Sequence, residues 1–219
     1  MRTLLLFLAL LFCGSSAHAQ LVIHLDNPSF EGSPNHSTLP PGWDNKGFQG
    51  ESPADTHPNG DFGVTQTPYH GETFLGMVTR DNDSWECVGQ KLSVPFSADS
   101  CYQMALYAAR SKIYASLSRV TQEEVNFNTP CRIRLWAGYA GKKGYELLAE
   151  SELISSFDWE LVPFEFTPTE AYDYLYLEAF YDSDSASPTN GNVLLDHLSP
   201  IVPCKMVQEP AGVYQYKVD

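Results

Sequence analysis

The spacing of its apolar runs constrains this chain more than any other feature. Short stretches rich in Val, Ile, Leu, Phe, Tyr and Trp recur between clusters of Gly, Pro, Asn, Asp and Ser, while helical periodicity is nearly absent. Runs of that kind, bounded by turn residues, read as β-strands. Nine are predicted: Leu21 to Leu25, Thr73 to Thr79, Trp85 to Leu92, Cys101 to Arg110, Arg132 to Tyr139, Glu146 to Ile154, Trp159 to Thr167, Tyr172 to Tyr181 and Val193 to Val202. In the strand from Arg132, residues Ile133, Leu135, Ala137 and Tyr139 share the apolar face, and Arg132, Arg134 and Trp136 share the other. Between Tyr172 and Tyr181, the face of Leu175, Leu177, Ala179 and Tyr181 is the expected core side, with Tyr172, Tyr174, Tyr176, Glu178 and Phe180 opposite. Side chains alternate across a strand, so each assignment places one whole face against a partner sheet. The expected fold class is all-β, a two-sheet antiparallel sandwich.

Two connections are long. Gly32 to Glu72 holds Pro, Gly, His and aromatic residues with little alternation, and it reads as an ordered loop folded over one end of the sandwich. Ser111 to Pro130 is polar and weakly patterned, and it reads as a flexible excursion with a short helical turn around Gln122 to Val125.

The N-terminus carries Arg2, an apolar run from Leu4 to Phe12 and the small-residue triplet Ala17, His18, Ala19. That pattern is a secretory signal peptide over residues 1–19, and its apolar run is too short to span a bilayer. The expectation is therefore an exported protein in the periplasm, on the outer-membrane surface or outside the cell. No other segment is apolar enough for a transmembrane span. Residues 20–204 suit one β-sandwich domain, followed by a C-terminal tail over 205–219.

The chain has 27 acidic and 13 basic side chains, and removing Arg2 with the signal peptide leaves 12 basic. An acidic surface repels phosphate backbones and anionic lipid, so nucleic acid is excluded as a partner, while cations, neutral glycans and basic protein surfaces are compatible. Of five cysteines, Cys13 leaves with the signal peptide. Cys87, Cys101, Cys131 and Cys204 remain in an oxidising compartment, where an even count favours two bridges in any of three pairings. No nucleophile elbow, zinc-protease helix or phosphate-cradling loop occurs, so the motifs favour a binding protein over an enzyme.

Asn27-Pro28-Ser29-Phe30-Glu31 followed by Leu39-Pro40-Pro41-Gly42-Trp43 resembles the opening of the galactose-binding-like jelly rolls found among carbohydrate-binding modules. The likeness continues through Val88 to Leu92 and Cys101 to Arg110, and closes on Leu194-Leu195-Asp196-His197-Leu198. Gly76 to Asn82 and Gly191 to Asp196 are similar to such domains in secreted, gliding-motility and type IX secretion proteins of Bacteroidota. The resemblance implies a jelly roll, a structural Ca²⁺ held by Glu31 and Asp196, and a glycan or glycoconjugate gripped by Trp43, Tyr69, Arg80, Asp81 and Trp85. Trp136 and Trp159 are further aromatic candidates. The alternative is an accessory subunit that holds an envelope protein partner. In such a jelly roll the Cys101 strand pairs with the last strand, which implies a Cys101 to Cys204 bridge and leaves Cys87 with Cys131.

Overall fold

The computed structural model describes residues 21–140, 145–182, 185 and 187–204, and the expected signal peptide and C-terminal tail lie outside them. Among the described residues there are fourteen strands, numbered here in chain order, and no α-helix. One antiparallel sheet has the order β1 (Asp44–Asn45), β5 (Cys87–Lys91), β12 (Tyr174–Tyr181), β9 (Cys131–Gly138) and β10 (Tyr145–Glu150). The second has the order β11 (Glu160–Phe166), β6 (Tyr102–Ala109), β13 (Gly191–Asp196), β3 (Phe74–Arg80) and β2 (Asp55–His57). Two short strands extend it, β14 (Val202–Pro203) on β6 and β4 (Ser84–Trp85) on β3, while β7 (Ala115–Leu117) and β8 (Glu124–Asn126) form a separate ribbon.

The alternation expected in the two best-patterned strands is the one that packs. Ile133, Leu135 and Ala137 of β9 and Leu175, Leu177 and Ala179 of β12 are fully buried against Leu75, Met77, Leu106, Val193 and Leu195 of the facing sheet. Each such side chain contributes about 1.5–3 kcal/mol by leaving water. The arrangement is an all-β jelly-roll sandwich.

Several boundaries move. Leu21 to Leu25 makes a single bridge, Ile23 to Ile201, in place of a strand. The run from Trp85 breaks at Glu86, whose carboxylate accepts a hydrogen bond from the Val78 amide at 3.0 Å and so takes the place of a strand partner. Ser111 to Pro130 folds as the β7–β8 ribbon and not as a helical turn, with Gln122 at φ 62° in the bend. Its polar sequence hides two anchors: Tyr114 and Phe127 pack on Phe74, Val78 and Leu194, making a second small core on the outer face of the larger sheet. The segment from Gly32 to Glu72 runs along one side of the sandwich, adding β1 to one sheet and β2 to the other, with Trp43 and Ala54 in the core.

Cys101 and Cys204 are joined, with Cα atoms 5.5 Å apart, because β14 pairs antiparallel with the start of β6. The second bridge does not form, and Cys87 and Cys131 are free and buried. β12 lies between their strands, pairing Glu178 with Cys87 and Tyr181 with Cys131. They therefore sit two strand spacings apart, roughly 10 Å, on opposite faces of one sheet, beyond the reach of a disulfide. Burial pushes both thiols up, that of Cys131 to about 12, which keeps them inert.

Candidate functional site

The opening motif builds a clasp. Asn27 accepts the Glu31 amide at 2.8 Å through its side-chain oxygen and donates to the carbonyls of Glu31 and Pro41. The Trp43 indole donates to the Asn27 carbonyl at 3.1 Å, and its ring lies 4.9 Å from Phe30. Trp43 is thus 5% exposed and belongs to the core, so the aromatic that best carries the family likeness is structural and cannot meet a sugar.

Glu31 and Asp196 grip neighbouring turns of the same segment. Glu31 accepts the Glu72 amide at 3.1 Å, and Gly71 takes φ 68°, a left-handed conformation that favours glycine, directly beside the Glu31 carboxylate. Asp196 accepts the His70 amide at 2.9 Å through Oδ2, and the His197 and Tyr69 amides also pull on the carboxylate, although its buried Oδ1 makes no hydrogen bond of normal geometry. Burial, and then the charge of Glu31, raises the Asp196 carboxyl to about 6. Among the described residues the one close cluster of three metal-ligating side chains is Cys101, Glu165 and Cys204, and its thiols are consumed by the disulfide.

The remaining predicted ligand residues scatter. Tyr69 lies on the outer face of the larger sheet, stacked at 3.5 Å on Tyr107. Asp81 anchors the β7–β8 insertion, accepting from the amides of Arg119 and Val120 and from Asn190. Arg80 is buried, paired with Glu86 and lying 3.6 Å from Glu51. Trp159 donates its indole N–H to the Thr67 carbonyl and packs on Phe74. Trp85 is the member of the predicted set that opens onto a cleft.

That cleft is the outer face of the five-stranded sheet. β12 presents Tyr174, Tyr176, Glu178 and Phe180 along it, a span of about 20 Å at 3.3 Å per residue. Gly89 of β5 lets the two tyrosines lie against the sheet, since a Cβ there would meet both rings within 2.9 Å. Tyr145 stands edge-on to Tyr176 at 4.8 Å, and Lys46 lies 4.8 Å over the Tyr174 ring. In the middle, the Trp136 indole donates to Glu178 at 3.1 Å, and Arg134 lies 3.8 Å from the same carboxylate while its guanidinium covers Phe180. At the far end, Trp85 meets Phe180 edge-on at 4.8 Å and Phe48 at 4.8 Å. Burial raises the Glu178 carboxyl above the ordinary range, against the pull of the Trp85 and Trp136 indoles and of Arg134. Tyr174, Tyr176 and Phe180 are themselves buried and form the floor, so the rings open to a ligand are Tyr145, Phe48 and the half-buried Trp136 and Trp85; with Lys46 and Glu178 between them they make a surface suited to a polyhydroxylated chain.

The alternation of β12 places Tyr174, Tyr176, Glu178 and Phe180 on the non-core face. That face is itself largely covered, since Tyr174, Tyr176 and Phe180 are buried and only Glu178 of the four is half-buried.

No family model matches the chain, and no curated protein matches it in sequence. Solved structures do share its architecture. The K2 cleaved adhesin domain of Lys-gingipain superposes with a TM-score of 0.50 at 11% identity, over 83% of this chain and 97% of that one. The arabinose-bound MgGH51 α-L-arabinofuranosidase gives 0.50 at 11% identity, covering 86% of this chain and 27% of the enzyme. The CBM22-1–GH10 modules of a Clostridium thermocellum xylanase complexed with xylohexaose give 0.47 at 10% identity, over 91% and 30%. Identities this low speak to the fold and to nothing else.

Proposed function

We propose that this jelly-roll sandwich is a non-catalytic, exported glycan-binding module whose ligand lies along the outer face of the five-stranded sheet. The observation that carries the reading is the row formed by the exposed rings of Tyr145 and Phe48 and the half-buried Trp136, Glu178 and Trp85, where rings alternate with hydrogen-bonding side chains. Stacking on such rings gives affinity, and the carboxylate and cationic groups fix hydroxyls. Export rests on the sequence of residues 1–19, and no helix among the described residues is long and apolar enough to cross a membrane.

A glycan array probed with the mature protein tests this. Trp85→Ala and Trp136→Ala should each weaken binding at least tenfold, the scale of an aromatic hot spot. Tyr69→Ala, on the opposite face of the sandwich, should leave it unchanged. Silence across the array, together with specific retention of an envelope protein by the exposed Ile113, Leu117 and Val120 of the insertion, would favour the accessory-subunit reading instead.

The same proposal includes a structural Ca²⁺ between Glu31 and Asp196. The residues fit it: Asp196 Oδ1 is buried without a hydrogen bond of normal geometry, and a second carboxylate close by raises the cost of its charge. Two carboxylates fall short of the six to eight oxygens that Ca²⁺ prefers, so backbone carbonyls would complete the shell. The ion would supply charge neutralisation and tie the first turn to the end of β13. Chelation of the wild-type protein should lower its melting temperature by about 5–10 °C, the equivalent of roughly 2–3 kcal/mol of ligand stabilisation in a domain of this size, and should leave Asp196→Asn unmoved. An identical melting curve with and without chelator removes the ion.

A further inference from the structure

We propose that the pocket at the Trp85 end of this cleft reads an acetamido group, so that the preferred ligands are glycans containing N-acetylated hexosamines; the inference rests on the cleft being a glycan site. The pocket has a volume of about 300 Å³ and is lined by Lys46, Gly47, Phe48, Trp85, Cys87 and Glu178. It is a built feature. The Lys46 amide donates to the Cys87 carbonyl at 2.8 Å, which binds the segment onto β5. Gly47 then passes so close to β4 that a Cβ would sit 3.3 Å from the Trp85 carbonyl. Phe48 is held across Trp85 with the two ring planes 80° apart, yet it remains 42% exposed. An apolar corner kept open in this way has one wall too many for solubility and one too few for a core.

Its polar groups restrict what can enter. Glu178 forms the acceptor side: the indoles of Trp136 and Trp85 take two lone-pair directions, and a carboxylate offers about four. Lys46 forms the donor side, with Asp44 3.4 Å from its ammonium and the Tyr174 ring beneath it, which leaves protons to give. Cys87, whose thiol turns toward its neighbour's carbonyl, adds a small apolar floor. A uronic acid would set its charge against Glu178, and a free amine would set its charge against Lys46. A plain hydroxyl would leave the Phe48–Trp85 corner unfilled. The neutral acetamido group meets all three demands: its methyl fills the aromatic corner, its N–H donates to Glu178 and its carbonyl accepts from Lys46.

The test is calorimetric titration of the mature chain with chitotriose and with cellotriose, which share a backbone and differ in the substituent at C2. Chitotriose should bind at least tenfold more tightly. Phe48→Ala and Lys46→Met should each reduce that ratio to below about threefold. Equal binding of the two sugars, a preference for cellotriose, or a ratio unchanged by both substitutions would overturn the acetamido pocket while leaving the cleft as a glycan site. Binding of neither sugar, with an empty glycan array, would remove both readings together.

Discussion

Replacing Arg80 with Met is expected to destabilise the folded chain by about 3–5 kcal/mol, read as an earlier midpoint in denaturant titration and a melting temperature lower by on the order of 10 °C. The side chain is 3% exposed and its Nη2 donates to Glu86, which is 4% exposed, and to the Ser52 hydroxyl at 3.0 Å. Removing the guanidinium leaves Glu86 in a dry site beside Asp55, which itself accepts from the Tyr114 hydroxyl and, at 2.6 Å, from the Ser37 amide. Burial already pushes the Glu86 carboxyl far above the ordinary carboxylate range against the pull of Arg80, so the unpaired acid would fold only with a proton on it. The double substitution Arg80→Met with Glu86→Leu should recover most of the loss, since an apolar pair of similar volume avoids desolvating two charges. If the single variant is as stable as wild type, the buried pair is not what fastens the insertion and the 32–72 segment to β3.

The second large effect is on acid stability. His57 is fully buried, stacked at 5.4 Å on Phe74 and edge-on to Tyr114, and neither ring nitrogen finds a hydrogen bond of normal geometry. Burial lowers its pKa from the ordinary 6.5 to about 4, against smaller opposing pulls from Asn59 and Asp61. In the unfolded chain the ring takes up a proton as the pH drops below 6.5; in the folded chain it does so only near 4. Between those values the unfolded state binds more protons, so stability falls as the pH falls, and below about 4 this contribution is fully lost. Two and a half pH units at about 1.4 kcal/mol each amount to roughly 3 kcal/mol. Unfolding free energies measured at pH 7 and pH 4 should show that drop in wild type and a much shallower one in His57→Gln. Parallel slopes in the two proteins would mean that His57 is not the group titrating.

Asn27, Phe30, Glu31 and Trp43 were legible as a unit because they are close in the chain and their spacing is a turn signature. Their role was legible only in part, because a Trp looks the same in sequence whether its ring lies on Phe30 or faces solvent. Arg80 and Asp81 looked like ligand residues because polar side chains in a turn usually face water. The insertion that covers Arg80 does so through Tyr114 and Phe127, two apolar residues too few to show a period.

Local order along the chain determined the β class, the division of β9 and β12 into a core face and an outer face, and, through the family likeness, the meeting of Cys101 with Cys204. The first two follow from side-chain alternation and from turn chemistry, both of which act over a few residues, while the cysteine pairing is what the resemblance implied. Tertiary structure alone decided that β12 separates Cys87 from Cys131, that Arg80 is interior, and that Lys46, Phe48, Trp85, Trp136 and Glu178 line one cleft. A strand's sequence encodes which side each residue takes, but its neighbours are selected by packing across the whole sandwich, where residues more than a hundred positions apart become adjacent.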